Sequence, residues 1–449
     1  MRDDICLSPV SLNSSQALDE WNGMILAFLA HGTATPVHLG NVLNLEPQFA
    51  MGHAARGLFS LMLGRAEMVR TAREAAVSAQ SALAQNACTP RERMWVEALE
   101  SWLQDTPTAA IDAMERCLEI HPADTLSAKL SHAIRFILGD ATGMRRSVER
   151  ILPAHGNDHV CRGYLLGCHA FTLEETGEYA AAEAAGLEGL TLAHDDSWGL
   201  HAVAHVYDMT ALPSKGIALI EDNKASWDHC NNFRYHVWWH KALLHMDRGE
   251  LDVALGLYDA QIRADKTDDY RDISNATSLL VRLELEGIEV GPRWQELADL
   301  AEKRTEDGCV VFADLHYMLA LTGADRTDAK AAMASRFTRD AAGGGEMKKR
   351  YAAPGQEALA GLNAFAEGRY QDAFANLTKA RPLMQMIGGS HAQRDVFERI
   401  TIDAGIRAGQ YARTENLLRD RLARRAYKAD RYTSLRMDTI ENAQRIPAQ

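Results

Sequence analysis

The stretch GRYQDAFANL, Gly368 to Leu377, decides the fold. Its glycine is the residue that most readily turns the chain at the end of a helix. Tyr370, Ala373 and Leu377 then follow at i, i+3 and i+7, one face of a new helix. The alanine on that face lets a neighbouring helix approach closely. The phrase recurs as Gly177-Glu178-Tyr179…Ala182, Gly249-Glu250-Leu251…Ala254…Tyr258 and Gly409-Gln410-Tyr411…Thr414…Leu418. In each case an apolar helical stretch precedes the glycine and another follows it. The recurring unit is therefore a helix–turn–helix hairpin.

The four glycines are spaced by 72, 119 and 41 residues. The first interval is about two units, and the last about one enlarged unit, of the ~34-residue tetratricopeptide period. Looser versions run from Pro107 to Leu118, closed by His121-Pro122, and from Ser127 through Gly139 to Pro153. No strand-type alternation of convincing length is present. The expected fold class is all-α: an array of irregular tetratricopeptide-like helical hairpins, an α-solenoid, strongly curved or closed. The expected organisation is residues 1–340 for the N-terminal and central repeats, 341–355 for a glycine-rich loop, and 356–449 for C-terminal repeats with a basic capping helix. That loop holds Gly343-Gly344-Gly345 and Lys348-Lys349-Arg350, read either as a solvated linker or as an anion-binding nest. A second, charged loop is expected from Asp265 to Asp272.

Composition agrees with a helical globular chain. Of 449 residues, 47% are apolar, 24% charged and only 7% aromatic. Forty-eight basic residues face 61 acidic ones, a net charge of −13. That balance argues against a nucleic-acid partner, because phosphate neutralisation needs a basic face. The segment Arg413–Arg436 is locally basic and reads as a capping helix with a basic outer face. Seven dispersed cysteines without a C-x-x-C pair do not resemble a disulfide framework. Met1-Arg2-Asp3-Asp4 opens no signal-type apolar region, and the apolar run Met24–Ala30 is far shorter than the ~20 residues that span a bilayer. The expectation is a cytoplasmic protein with no membrane partner, and homo-oligomerisation is left open.

Chemistry concentrates in the histidines. Seven of 17 fall between His194 and His245. His201/His205 and His236/His240 are i,i+4 pairs in first-helix positions of two hairpins, so each pair presents two imidazoles on one face. Trp198, His201, His205 and Asp208 form a column at i, i+3, i+7 and i+10, where Asp208 would orient an imidazole as carboxylates do behind metal ligands. Trp238 and Trp239 flank the second pair. If both helices face each other, His201, His205, His236 and His240 converge as ligands for Zn²⁺ or another divalent transition metal, or as acid–base groups. The alternative is that the imidazoles and tryptophans are buried packing groups. Neither pair is H-E-x-x-H, so zinc-protease chemistry lacks its glutamate. A further pair, His155/His159, falls in a loop-like stretch and is left out of the site. His391, Arg394 and Asp395 share a helical face after Ser390, a good N-cap. They would clamp an anionic ligand, or knit the last repeats together as an Arg–Asp pair. Asp314 and His316 read as packing features. No Walker, Rossmann, nucleophile-elbow or EF-hand motif occurs.

Four phrases in order also resemble a family: HAVAHV (201–206), CNNFRYHVWWHKALLHMDRGELDVALGLYD (230–259), LEGIEVGPRWQELA (285–298) and GGSHAQRDVF (388–397). They are similar to those of tetratricopeptide repeat protein 38 and its bacterial relatives, over roughly residues 30–410. The resemblance implies a tetratricopeptide-like α-helical array and a polar set of His201, His205, His236, Trp239, His240, His391, Arg394 and Asp395. It implies no reaction.

Two functions follow. In one, the array encloses a His-rich pocket for a metal or small anionic molecule, with metal-assisted hydrolysis as its chemistry. Its catalytic groups would be the four histidines and Arg394, and Trp198, Trp239, His391 and Asp395 would bind the ligand. In the other, the concave face is a non-catalytic scaffold for a peptide or protein. The first is favoured because scaffold grooves usually expose Asn, Lys, Arg and Tyr, whereas this chain concentrates His, Trp and Asp. All three members of the face at His391 are expected to share the pocket of the central histidines.

Overall fold

A computed structural model describes residues 1–445. The chain is an all-α succession of tetratricopeptide-like hairpins, with one small antiparallel pair, Arg2–Asp3 against Pro9–Val10. All four phrase glycines are left-handed, with φ of +86° at Gly177, +78° at Gly249, +72° at Gly368 and +67° at Gly409. Each closes the helix before it with a doubled backbone bond. At the third, Gly368 N–H donates to Phe365 (3.1 Å) and Arg369 N–H to Ala364 (2.9 Å). Ala182, Ala254, Ala373 and Thr414, the small residues of the phrase, are fully buried. The local rule that glycine turns and alanine packs therefore builds these hairpins.

Several hairpins carry no such phrase. Pro90–Leu103 with Pro107–Ile120, Ser197–Met209 with Pro213–Asp222, and Val311–Gly323 with Thr327–Ala341 turn at Asp105, Ala211 and Asp325 instead. These three have φ of +58°, +55° and +54°, conformations that cost a side-chain-bearing residue about 1–2 kcal/mol. Tertiary packing overrides the propensity there, so no glycine phrase marks these turns, although the expected helix from Pro107 to Leu118 is present as Pro107–Ile120.

The chain divides into two compact units. The first takes Met1–Val203, Asn223–Arg234 and Gly344–Met347; the second takes Ala204–Asp222, Tyr235–Gly343 and the chain from Lys348. The first unit's core includes Trp21, Met51, Trp95, Met114 and Leu130. In the second, the Tyr270–Leu285 helix is buried on nearly every side, as a helix at the centre of a packed layer must be. Around it lie Trp239, Trp294, Tyr317, Phe337 and Phe397.

Residues 341–355 hold a short Glu346–Arg350 helix rather than an extended linker. Lys348 pairs with Asp340 at 2.6 Å and Arg350 donates to the Met386 carbonyl at 2.9 Å, so these cations serve the fold. The basic tail is two helices, Tyr411–Arg424 and Arg431–Arg445. Arg413, Arg419, Arg424 and Lys428 are exposed there, whereas Arg421 and Arg425 are buried among carboxylates. All seven cysteines are free. Among the described residues no helix is long and apolar enough to cross a membrane.

Candidate functional site

Both histidine pairs lie on first helices of their hairpins, Ser197–Met209 before Pro213–Asp222 and Phe233–Asp247 before Leu251–Leu257. Within the second unit, His205, His236 and His240 come together, each offering a ligand atom within 4.8 Å of the others. They are 1%, 8% and 2% exposed. The Nε2 atoms of His236 and His240 lie 3.1 Å apart, and the His205 and His240 rings are 4.4 Å apart at their centroids. His201 precedes His205 by one turn on the same helix face, in the part of that helix belonging to the first unit. Its ring stacks on Phe171 at 5.6 Å.

The electrostatics favour a neutral His236. Burial, reinforced by neighbouring His205, pushes the His236 pKa down to about 3, and the Asn275 side chain offsets only part of this. A neutral imidazole keeps a lone pair for a metal. Two nitrogens of a tetrahedral zinc site, each ~2.05 Å from the ion, sit about 3.3 Å apart. The observed separation is close to that edge.

Around the trio, Trp239 is fully buried, stacks on His236 at 5.3 Å and carries the Arg282 guanidinium over its ring at 5.4 Å. Trp198 belongs to an aromatic cluster of the first unit with His132, Phe171 and Phe233, and Lys129 lies 4.5 Å over its ring. Asp208, expected to orient an imidazole, instead accepts from Arg425 at 3.1 Å. That correction has a simple cause: a buried guanidinium outcompetes an imidazole for a carboxylate.

His391, Arg394 and Asp395 do lie together on the His391–Arg407 helix, behind a capping box in which Gln393 N–H donates to Ser390 Oγ at 3.3 Å. They border a cavity of about 370 Å³ that His205, His236 and His240 do not line. The expected single pocket is thus two sites. Asp395 does knit the last repeats, but through Arg421 (2.8 Å) and Arg399 (2.7 Å) rather than Arg394, which donates to the carbonyls of Gly388 and Gly389. Asp314 and His316 are packing groups. Asp314 accepts from Arg336 at 2.8 Å and His316 meets the Phe312 carbonyl at 2.7 Å.

Sequence reasoning missed Asn275, Gln393 and Arg282. Gln393 Nε2 donates to Asn275 Oδ1 at 3.2 Å, linking the helix of His391 to the residue beside His236. The Ser-x-x-Gln capping signature at Ser390 was the available signal for Gln393. Nothing local marks the other two.

No family model matches the chain. Two solved structures are similar over nearly its whole length. The human IFIT1 dimer with PPP-AAAA is 13% identical, covering 98% of this chain and 96% of that one, at a TM-score of 0.43. The human IFIT1 dimer with m7Gppp-AAAA is 12% identical with the same coverage, at a TM-score of 0.35. Likeness at this level carries no argument about function.

Proposed function

We propose that this chain is a tetratricopeptide-like repeat protein that holds zinc or a similar divalent transition metal on His205, His236 and His240. His201 lies one turn earlier on the helix of His205. The observation carrying this reading is three buried imidazoles gathered within 4.8 Å, one of them held neutral. A nitrogen-only donor set suits zinc, copper or nickel rather than magnesium or calcium. Three protein ligands leave an open position where a metal-bound water reaches a pKa of about 7, the starting point for hydrolysis. Four would close the site and make it structural.

The 3.1 Å contact between His236 and His240 also supports a second reading, an imidazole–imidazole hydrogen bond inside a packed core. On that reading the protein is a non-catalytic scaffold for a peptide or protein. Metal analysis of tag-free protein separates the two. About one metal per chain, lost in His240→Ala, supports the centre; a metal-free wild type that binds none on addition hands the site to packing.

The family reading that accompanies this proposal is tetratricopeptide repeat protein 38, on the four phrases quoted above. The seven free cysteines go with a reducing, cytoplasmic setting. A nucleic-acid partner is not proposed, since the chain carries −13 and the tail arginines Arg421 and Arg425 are buried rather than displayed on a surface a polyanion could lie along.

A further inference from the structure

We propose that the cavity of the second unit, walled by Arg394, Arg399, Arg421 and Arg425, binds a small molecule through a doubly charged phosphate group. The cavity lies wholly within that unit and is independent of the metal reading.

Six arginines and five carboxylates line the cavity, in a chain whose net charge is −13. The carboxylates are already committed. Asp395 is held by Arg421 and Arg399, and Asp430 by Arg421 at 2.6 Å and, more distantly, by Arg399 and Arg425. Asp208 is taken by Arg425. Glu398 is held by Arg381 and Arg424, and Asp247 accepts from the Arg431 backbone N–H at 2.7 Å.

A seventh guanidinium lies behind the wall. Arg282, 1% exposed, donates to the carbonyls of Ser278 (3.1 Å) and Ala392 (2.6 Å) and among the described residues has no carboxylate within hydrogen-bond reach. Ala392 is itself a lining residue. Burial, with a smaller contribution from the nearby charge of Arg399, brings the Arg282 pKa down to about 9.

Two buried donors remain unused: the Nε–H groups of Arg282 and Arg425 have no acceptor. Buried donors and charges of this kind are strongly disfavoured unless something satisfies them. Guanidinium forks match phosphate oxygens two at a time, which a lone carboxylate exploits less fully. A volume of about 370 Å³ admits a phosphate with a compact organic body.

Calorimetric titration of the full chain with phenyl phosphate, in EDTA to remove any metal, tests this. Benzoate is the singly charged comparison. Saturable 1:1 binding of phenyl phosphate is expected, with benzoate much weaker. Arg425→Gln should weaken binding about tenfold or more, the loss of one charge-assisted bond. Should that variant fail to fold, Arg394→Gln, on a half-buried wall position, is expected to show the same loss and decides the matter. No saturable binding to the wild type, equal binding of benzoate, or unchanged binding by the folded variants overturns the proposal. Because EDTA is present throughout, the result is separate from the fate of the metal centre.

Discussion

The Nε2 atoms of His236 and His240 lie 3.1 Å apart on successive turns of one helix, with the His205 ring against His240. Such a pair is held either by a shared proton or by a shared metal. His236→Ala and His240→Ala discriminate. With a metal centre, each variant loses bound metal while keeping its far-ultraviolet dichroism, and chelation of the wild type lowers its melting temperature. With packing alone, each variant is destabilised by about 1–3 kcal/mol and chelation does nothing. Thermal melts beside elemental analysis read both outcomes.

Asn275 stands behind His236 and receives Gln393 Nε2. Groups in that position orient metal-binding imidazoles, and their loss typically costs 10–100-fold in affinity. Asn275→Ala should therefore weaken metal binding about tenfold in a competition titration. Unchanged affinity would reduce Asn275 to a core polar group.

Arg421 bridges Asp395 and Asp430 in a buried node, and its removal leaves Asp395 with Arg399 and Asp430 with only the longer contacts to Arg399 and Arg425. Burial pushes the Asp395 pKa up, but Arg421 and Arg399 outweigh it and hold it well below the usual range. Arg421→Ala should cost about 3–5 kcal/mol in urea unfolding. Arg419→Ala, which breaks an exposed pair with Glu415, should stay within about 0.5 kcal/mol.

The turn positions predict opposite signs. Gly368→Ala meets no atom within 4 Å, so its cost is backbone strain alone, about 1 kcal/mol. Ala211→Gly relieves that same strain at φ +55° and should stabilise by a few tenths to about 1 kcal/mol. Gly361→Ala is worse than either, because its Cβ would sit 2.5 Å from Leu377 Cγ. Differential scanning calorimetry of the three variants orders them.

Acidification should destabilise the fold through buried neutral histidines. Burial lowers the His155 pKa to about 4 and the His316 pKa to about 3. Unfolded histidine titrates near 6.5, so below that pH the unfolded chain binds more protons and stability falls with pH. The contribution is complete above about pH 6.5 and is lost at up to about 1.4 kcal/mol per pH unit per histidine on the way down to pH 4. Urea melts at pH 7.5, 6 and 5 measure the slope, and His316→Gln should flatten it. An unchanged slope in that variant would remove His316 from the account.

The sequence by itself determined what is local. A glycine that takes φ near +70°, followed by a helix face with a fully buried alanine, is a property of ten consecutive residues, and it located four hairpins. The i,i+4 histidine spacing likewise fixed which imidazoles share a helix face, because 3.6 residues per turn is a covalent and hydrogen-bonding constraint. Tertiary structure decided which faces meet. It brought His205 to the His236 helix, gave Asp208 to Arg425 across 217 residues, and buried Arg421 of the basic tail against Asp395 and Asp430. It also imposed left-handed turns on Asp105, Ala211 and Asp325, whose own preferences point elsewhere. The partner of a buried charge is chosen by desolvation once the helices pack, and no pattern along the chain encodes that choice.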